Sequence, residues 1–179
     1  MQRTQLSNGL NVVLIERHNA PIVNVALALD AGTASDSAAK SGLASLALDM
    51  IDKGTTTRDA FQFSNALDAQ GAELSTVTYA DQSHVRLQAT AANFGPALAL
   101  MADAVLHPSF PADQFKLQQQ RRIAVIAQEK STPAVLAQRL AVGLIYGPDS
   151  AYGKPSSGYE TTVTVYTFNN GALAPLASY

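Results

Sequence analysis

Chemistry in this chain has few places to sit. Ser45 and Asp49 stand four residues apart in Gly42-Leu-Ala-Ser-Leu-Ala-Leu-Asp-Met-Ile-Asp-Lys-Gly-Thr55. On a helix that spacing stacks them one turn apart on the same side. A serine beside a carboxylate is two thirds of a hydrolytic triad, but no histidine is placed to complete it and no G-x-S-x-G elbow is present. His18, His84 and His107 lie far apart in sequence and fall in different expected elements, which suits surface or core histidines better than ligands. There is no cysteine, hence neither a disulfide nor thiolate chemistry. Gly147, Gly153 and Gly158 are too scattered for a phosphate-cradling loop. Arg121-Arg122 falls within an expected helix, where a solvated or salt-bridged face is a simpler reading than an anion site.

The segment around Ser45 has the pattern of an amphipathic helix. Leu43, Leu46, Ala47, Met50 and Ile51 follow the i, i+3, i+4, i+7, i+8 spacing of one buried face. Ser45, Leu48, Asp49 and Asp52 make a second stripe, where a site would be displayed. By itself that stripe is the more polar side of a helix and implies no activity.

The other elements follow from turn and cap signals. Ser7-Asn8-Gly9 predicts a hairpin leading into a strand over 11–16, and Ile22–Asp30 predicts a second strand. Residues 31–40 form a small-residue loop. Thr57-Arg58-Asp59 caps a helix that runs through Ala69 and stops at Gly71. Residues 72–79 and 82–90 read as paired strands. Three helices follow: 93–106, capped by Asn93 and stopped by His107-Pro108; about 111–130; and 133–146, stopped by Gly147-Pro148. Residues 149–158 are a Gly/Pro/Ser-rich loop, and the run 161–168 is β-rich, which allows a strand covering a sheet edge without deciding for one. Blocks of strands and helices in this order imply an α+β fold: a single-layer, mostly antiparallel sheet with helices packed on one face.

At 179 residues the chain is long enough to bury a core as one domain. Charged residues make up 15% of it, below the roughly 25% of ordinary soluble domains, and hydrophobic residues 47%. Such a surface fits either burial against a partner or an alanine-rich composition. A net charge of −2 gives no reason to expect a nucleic-acid partner. No apolar run is long enough to span a membrane. The first residues have no signal-peptide core, so a periplasmic location would require that a leader had been removed; otherwise the chain is cytoplasmic.

The frame of the Ser45 helix resembles the zinc helix of the insulinase/pitrilysin-type metallopeptidases, the inverzincins, which include mitochondrial-processing-peptidase-like proteins. That helix reads G-L-A-H-x-x-E-H-M-x-x-K-G-T. Gly42, Leu43, Ala44, Met50, Lys53, Gly54 and Thr55 match it, while Ser45, Leu48 and Asp49 replace the His, Glu and His. In the family the two histidines share one zinc and the glutamate deprotonates its bound water. Here Ser45 is a poor ligand and Leu48 cannot accept a proton. The family's third ligand, a later glutamate in a V-I-x-x-E run, has its counterpart in Glu129 of Ala-Val-Ile-Ala-Gln-Glu-Lys. Asp49 with Glu129 would be a two-carboxylate remnant, better suited to a hard cation than to zinc, unless both are solvated or paired with Lys or Arg.

Further segments carry the same resemblance. The start matches L-x-N-G-L-x-V-x-L followed by P-x-V-x-V-x-L, and Tyr146-Gly-Pro-Asp-Ser-Ala-Tyr-Gly-Lys-Pro is similar to Y-G-x-x-x-x-Y-G-x-P. Residues 71–83 align without a gap to a strand that, in related peptidases, edges the cleft and pairs with the substrate backbone. The resemblance therefore implies peptide binding by Leu74, Ser75, Thr76, Val77 and Thr78, unless these form an ordinary sheet strand whose edge is covered. It implies an inverzincin-like domain over 1–162, an atypical tail over 163–179, and a missing second homologous domain.

The reading these residues favour is a non-catalytic subunit or domain, with no catalytic residue and no zinc of its own. It would pair with an active inverzincin homologue, which supplies the zinc, and would contribute peptide contacts to a proteolytic chamber. The alternatives are a structural or truncated remnant with no proteolytic role, and a metallopeptidase with an altered metal site built on Asp49 and Glu129.

Overall fold

The structure is a computed structural model that describes residues 1–166. Three strands make the main sheet: β3 (Ile22–Leu29), β4 (Glu73–Thr78) and β5 (Ser83–Thr90), in the order β3-β5-β4 with every pairing antiparallel. The register runs from Ile22↔Thr90 to Leu29↔Ser83 on one side of β5 and from Glu73↔Gln88 to Thr78↔Ser83 on the other. Along β5 the side chains alternate, as a one-sided sheet requires. Ser83, Val85, Leu87 and Ala89 are buried, whereas Arg86, Gln88 and Thr90 are exposed. The buried set packs against Ala97 and Met101 of α3 (Phe94–Leu106) and against Leu48 and Ile51. Helices thus cover one face, as expected.

The N-terminal hairpin departs from a single layer. β1 (Gln2–Gln5) and β2 (Asn11–Leu14) pair only with each other, across the predicted Asn8-Gly9 turn. No residue of either strand is fully buried.

α1 (Leu43–Leu48) is shorter than the sequence pattern suggests. Beyond it the backbone bonds tighten to i→i+3, from Met50 N–H to Ala47 and from Lys53 N–H to Met50, so the helical path continues as turns up to Gly54. Its start is held from outside the helix: the Asp36 carboxylate accepts from the Gly42 and Ala44 N–H groups at 2.9 and 3.0 Å. Gly42 and Gly158 touch backbone to backbone, both at positive φ. A Cβ on Gly158 would stand 2.2 Å from the Ser41 carbonyl oxygen, so this contact requires glycine.

α2 (Ala60–Ala69) begins with the predicted cap in its full form: Asp59 accepts from Gln62 N–H while the Gln62 side chain accepts from Asp59 N–H. Asn93 occupies the N-cap of α3 without capping it; its amide donates instead to the Gln70 carbonyl and ties α3 to the end of α2. α4 (Ala112–Ser131) and α5 (Pro133–Tyr146) lie where they were expected.

In its described part the β-rich stretch 161–168 forms no strand but a helix, α6 (Glu160–Thr164). Tertiary contacts override its β propensity. Thr162 Oγ1 donates to the Ser41 carbonyl, and Val163 and Tyr166 join Leu46, Ala47, Met50, Phe115 and Ile126 in one core cluster. The core therefore continues through Tyr166. Residues 167–179 of the expected tail lie outside the described residues.

Candidate functional site

α1 and α4 cross so that Ser45 and Asp49 meet Arg122. Both terminal nitrogens of Arg122 donate to Ser45 Oγ at 3.1 Å, and Nη2 also donates to Asp49 Oδ2 at 2.5 Å. Arg122 is 13% exposed at its side chain and Asp49 43%, so the guanidinium is the deeper partner. Burial pushes the Asp49 carboxyl above its ordinary range, and the adjacent Arg122 offsets only part of that rise.

Glu129 lies seven residues along α4 from Arg122, two turns on and on the same side of the helix. It has its own cation. Arg139 of α5 donates from Nη1 to Glu129 Oε2 at 2.5 Å and to Ser157 Oγ at 2.6 Å, and from Nη2 to the Gly158 carbonyl. Ser157 Oγ donates to the same Glu129 oxygen at 3.2 Å, and the guanidinium stacks over Tyr159. Arg139 is 10% exposed. Both carboxylates of the expected remnant are thus held by buried arginines.

Leu48 does not share the polar stripe. It is buried at 1% exposure among Ile51, Val85, Leu87 and Met101, on the sheet side of α1. An apolar side chain at that position turns into the core because burial is favourable there and no polar partner competes for it.

These groups do not suit zinc. A serine hydroxyl is a weak donor, and the two carboxylates already bond to guanidinium groups. A divalent ion in that space would face fixed positive charge. Among the described residues no group of three or more His, Cys, Asp or Glu side chains converges.

The positions expected to contact a peptide, Leu74–Thr78, fall within β4. Its inner edge pairs with β5, and its outer edge pairs with no strand among the described residues. A groove runs beside that outer edge. Near Asp49 it holds about 190 Å³, with Ser75 and Thr76 on one wall and Gln118 and Arg121 on the other. It continues for about 440 Å³ toward Phe61 and Asp68 of α2. The α4 wall is one stripe, Gln114, Leu117, Gln118 and Arg121, at the i, i+3, i+4, i+7 spacing of a single helix face. Phe61, 74% exposed, stands at the α2 side.

The sequence reading placed Arg122 on a solvated or salt-bridged face without naming its partners, and it did not single out Arg139. Arg122 carried a signal: its seven-residue spacing from Glu129 places both on one stripe. Arg139 carried none, because only the packing of α5 on α4 brings it to Glu129.

The family model of the insulinase family, peptidase family M16, matches residues 11–145, and the chain belongs to that family. An uncharacterized zinc protease of Rickettsia bellii is 29% identical over 169 residues, which is 93% of this chain and 40% of that protein. An uncharacterized zinc protease of Mycobacterium tuberculosis is 26% identical over 93% of this chain and 38% of its own length. Among solved structures, the crystal structure of a peptidase M16 inactive domain from Pseudomonas fluorescens superposes with a TM-score of 0.90 at 25% identity, covering 98% of this chain and 42% of that one. The chain thus spans about two fifths of the length of these relatives. No helix among the described residues is long and apolar enough to cross a membrane.

Proposed function

We propose that this chain is a non-catalytic peptidase-family domain that holds an extended peptide along β4 without cleaving it and carries no zinc of its own. The observation behind this reading is the outer edge of β4, unpaired among the described residues, which lies on a groove next to Asp49 with its partner Arg122. An added strand bonds through backbone groups, which side-chain changes on β4 leave in place. The catalytic positions are different: a base has become a core leucine, and the ligand positions bond to guanidinium groups. The similarity to an M16 domain described as inactive supports the same reading.

The activity of such a domain lies in what it positions. An active inverzincin homologue, supplied as a partner, would bring the zinc and the general base, and this chain would contribute peptide contacts to the shared chamber.

The test is binding of a labelled extended peptide by fluorescence anisotropy, with the natural chain and with Thr76→Pro. Proline removes a backbone donor from the strand and disfavours an added strand. The expected result is loss of binding with the circular dichroism of the fold retained. Unchanged affinity in a folded variant would rule out pairing along β4.

A further inference from the structure

Arg121 and Arg122 are neighbours in sequence with opposite surroundings. Arg122 is bonded to Ser45 and Asp49, whereas Arg121 is exposed and has no hydrogen bond or ion pair among the described residues. A helix turns successive residues about 100° apart, so the two point to different sides of α4. Arg121 lies on the stripe that forms the groove wall, and it lines both parts of the groove beside β4.

The other charges of the narrow part are already compensated. Lys53 bonds to Asp52 at 2.8 Å, and Asp49 is paired with Arg122. Arg121 is therefore the one uncompensated charge there among the described residues. Farther along, the lining carries Asp68 and Glu73, neither in an ion pair with a described residue. The groove is polarised, cationic opposite Ser75 and Thr76 and anionic toward α2.

A guanidinium offers two parallel donors that match a carboxylate, and on a groove wall it can reach the side chain of a strand laid against the opposite wall. We propose that Arg121 selects a peptide bearing an acidic side chain opposite Ser75–Thr76, with neutral or basic residues toward α2. The inference rests on the reading of β4 as a peptide-holding edge and adds the class of peptide it holds. Successive side chains of an added strand alternate in direction, so a single acidic position in register answers to Arg121. A run of acidic residues would bring further carboxylates toward Asp68 and Glu73.

The experiment uses three labelled extended peptides of equal length that differ at one central position: Glu, Gln or Lys. Anisotropy is measured at low and high salt with the natural chain, Arg121→Gln and Arg121→Glu. Arg121 is exposed and has no polar partner among the described residues, so both variants should keep the fold, which circular dichroism checks. The expected result is a preference for the Glu peptide of about fivefold at low salt, the scale of an exposed charge pair, shrinking as salt screens it. Arg121→Gln should remove the preference and Arg121→Glu should reverse it toward the Lys peptide. Equal affinities for all three peptides, or a Glu preference that persists in Arg121→Glu, would overturn the role of Arg121 while leaving strand pairing intact. Failure of all three peptides to bind would overturn the peptide-holding reading and this inference with it.

Discussion

Restoring the family's metal ligands should fail unless Arg122 is also removed. The obvious restoration, Ser45→His with Leu48→Glu and Asp49→His, ignores two features of the structure. Leu48 is buried in the apolar cluster over the sheet, so a carboxylate there would be desolvated without a partner, a change costing several kcal/mol. A cleaner test keeps Leu48 and compares Ser45→His/Asp49→His with the same pair plus Arg122→Gln. Arg122 stands 3.1 Å from Ser45 Oγ and 2.5 Å from Asp49 Oδ2, so a metal held by side chains at these positions lies close to its guanidinium. At about 4 Å and an effective dielectric near 20, two unit charges interact by about 4 kcal/mol, and a divalent ion doubles this to about 8 kcal/mol. If the arginine swings out to about 8 Å the repulsion falls to about 4 kcal/mol. The three-residue variant should then bind zinc about 10³- to 10⁶-fold more tightly than the double variant. Competition against a chromophoric zinc chelator reads this directly. Equal zinc affinity with and without Arg122→Gln would refute the argument that the guanidinium has displaced the metal.

Three further outcomes follow from the packing around α1 and from the Asp103 cluster on α3. Gly158→Ala places a methyl group 2.2 Å from the Ser41 carbonyl oxygen at a positive φ, so it should lower the denaturation midpoint by more than about 2 kcal/mol in stability, whereas Gly71→Ala, with open space around it, should cost about 1 kcal/mol from its positive φ alone. Asp36→Ala removes the acceptor for the Gly42 and Ala44 N–H groups and should cost about 1–2 kcal/mol by chemical denaturation; no loss would mean that the α1 start does not depend on this cap. Burial tends to raise the Asp103 carboxyl, but hydrogen bonds from Thr55 and Thr57 and the charges of Arg58 and His107 outweigh it and hold it below its ordinary range. A depressed folded-state carboxyl contributes stability that is present above its unfolded value of 3.8 and is lost as pH falls through the folded value. Asp103→Asn should therefore flatten the acid limb of stability against pH, and an unchanged limb would contradict this assignment.

The sequence was most legible where local chemistry decides the backbone. Thr57-Arg58-Asp59 announces a helix start on its own, and residues 82–90 read as a strand paired with its neighbour; both hold in the structure. It was least legible where distant packing decides. Residues 160–164 have β-branched composition, yet Val163 and Tyr166 reach the α1–α4 core only from a helical turn. The second stripe of α1 placed Leu48 beside Ser45 and Asp49, and only the sheet beneath shows that Leu48 belongs to the core instead. The frame of the metal helix could be read from its flanking residues, and Ser45 and Asp49 share one partner, Arg122. The partner of Glu129 could not be read, because Arg139 comes from a separate helix whose approach no spacing encodes.

The two carboxylates at ligand positions are therefore misleading if taken alone. Asp49, where the family has a histidine, and Glu129, where it has a glutamate, each serve as counter-ion to an arginine. Breaking either pair leaves a charge half-buried and uncompensated, which is destabilising even where the intact pair contributes little.

The most direct test of the central claim is to incubate the purified chain with an extended peptide and added zinc, then separate the complex by size exclusion and weigh the recovered peptide by mass spectrometry. Full-length peptide co-eluting with the chain is the predicted result. Cleaved peptide would contradict the loss of catalysis, and peptide eluting free of the chain would contradict the holding role.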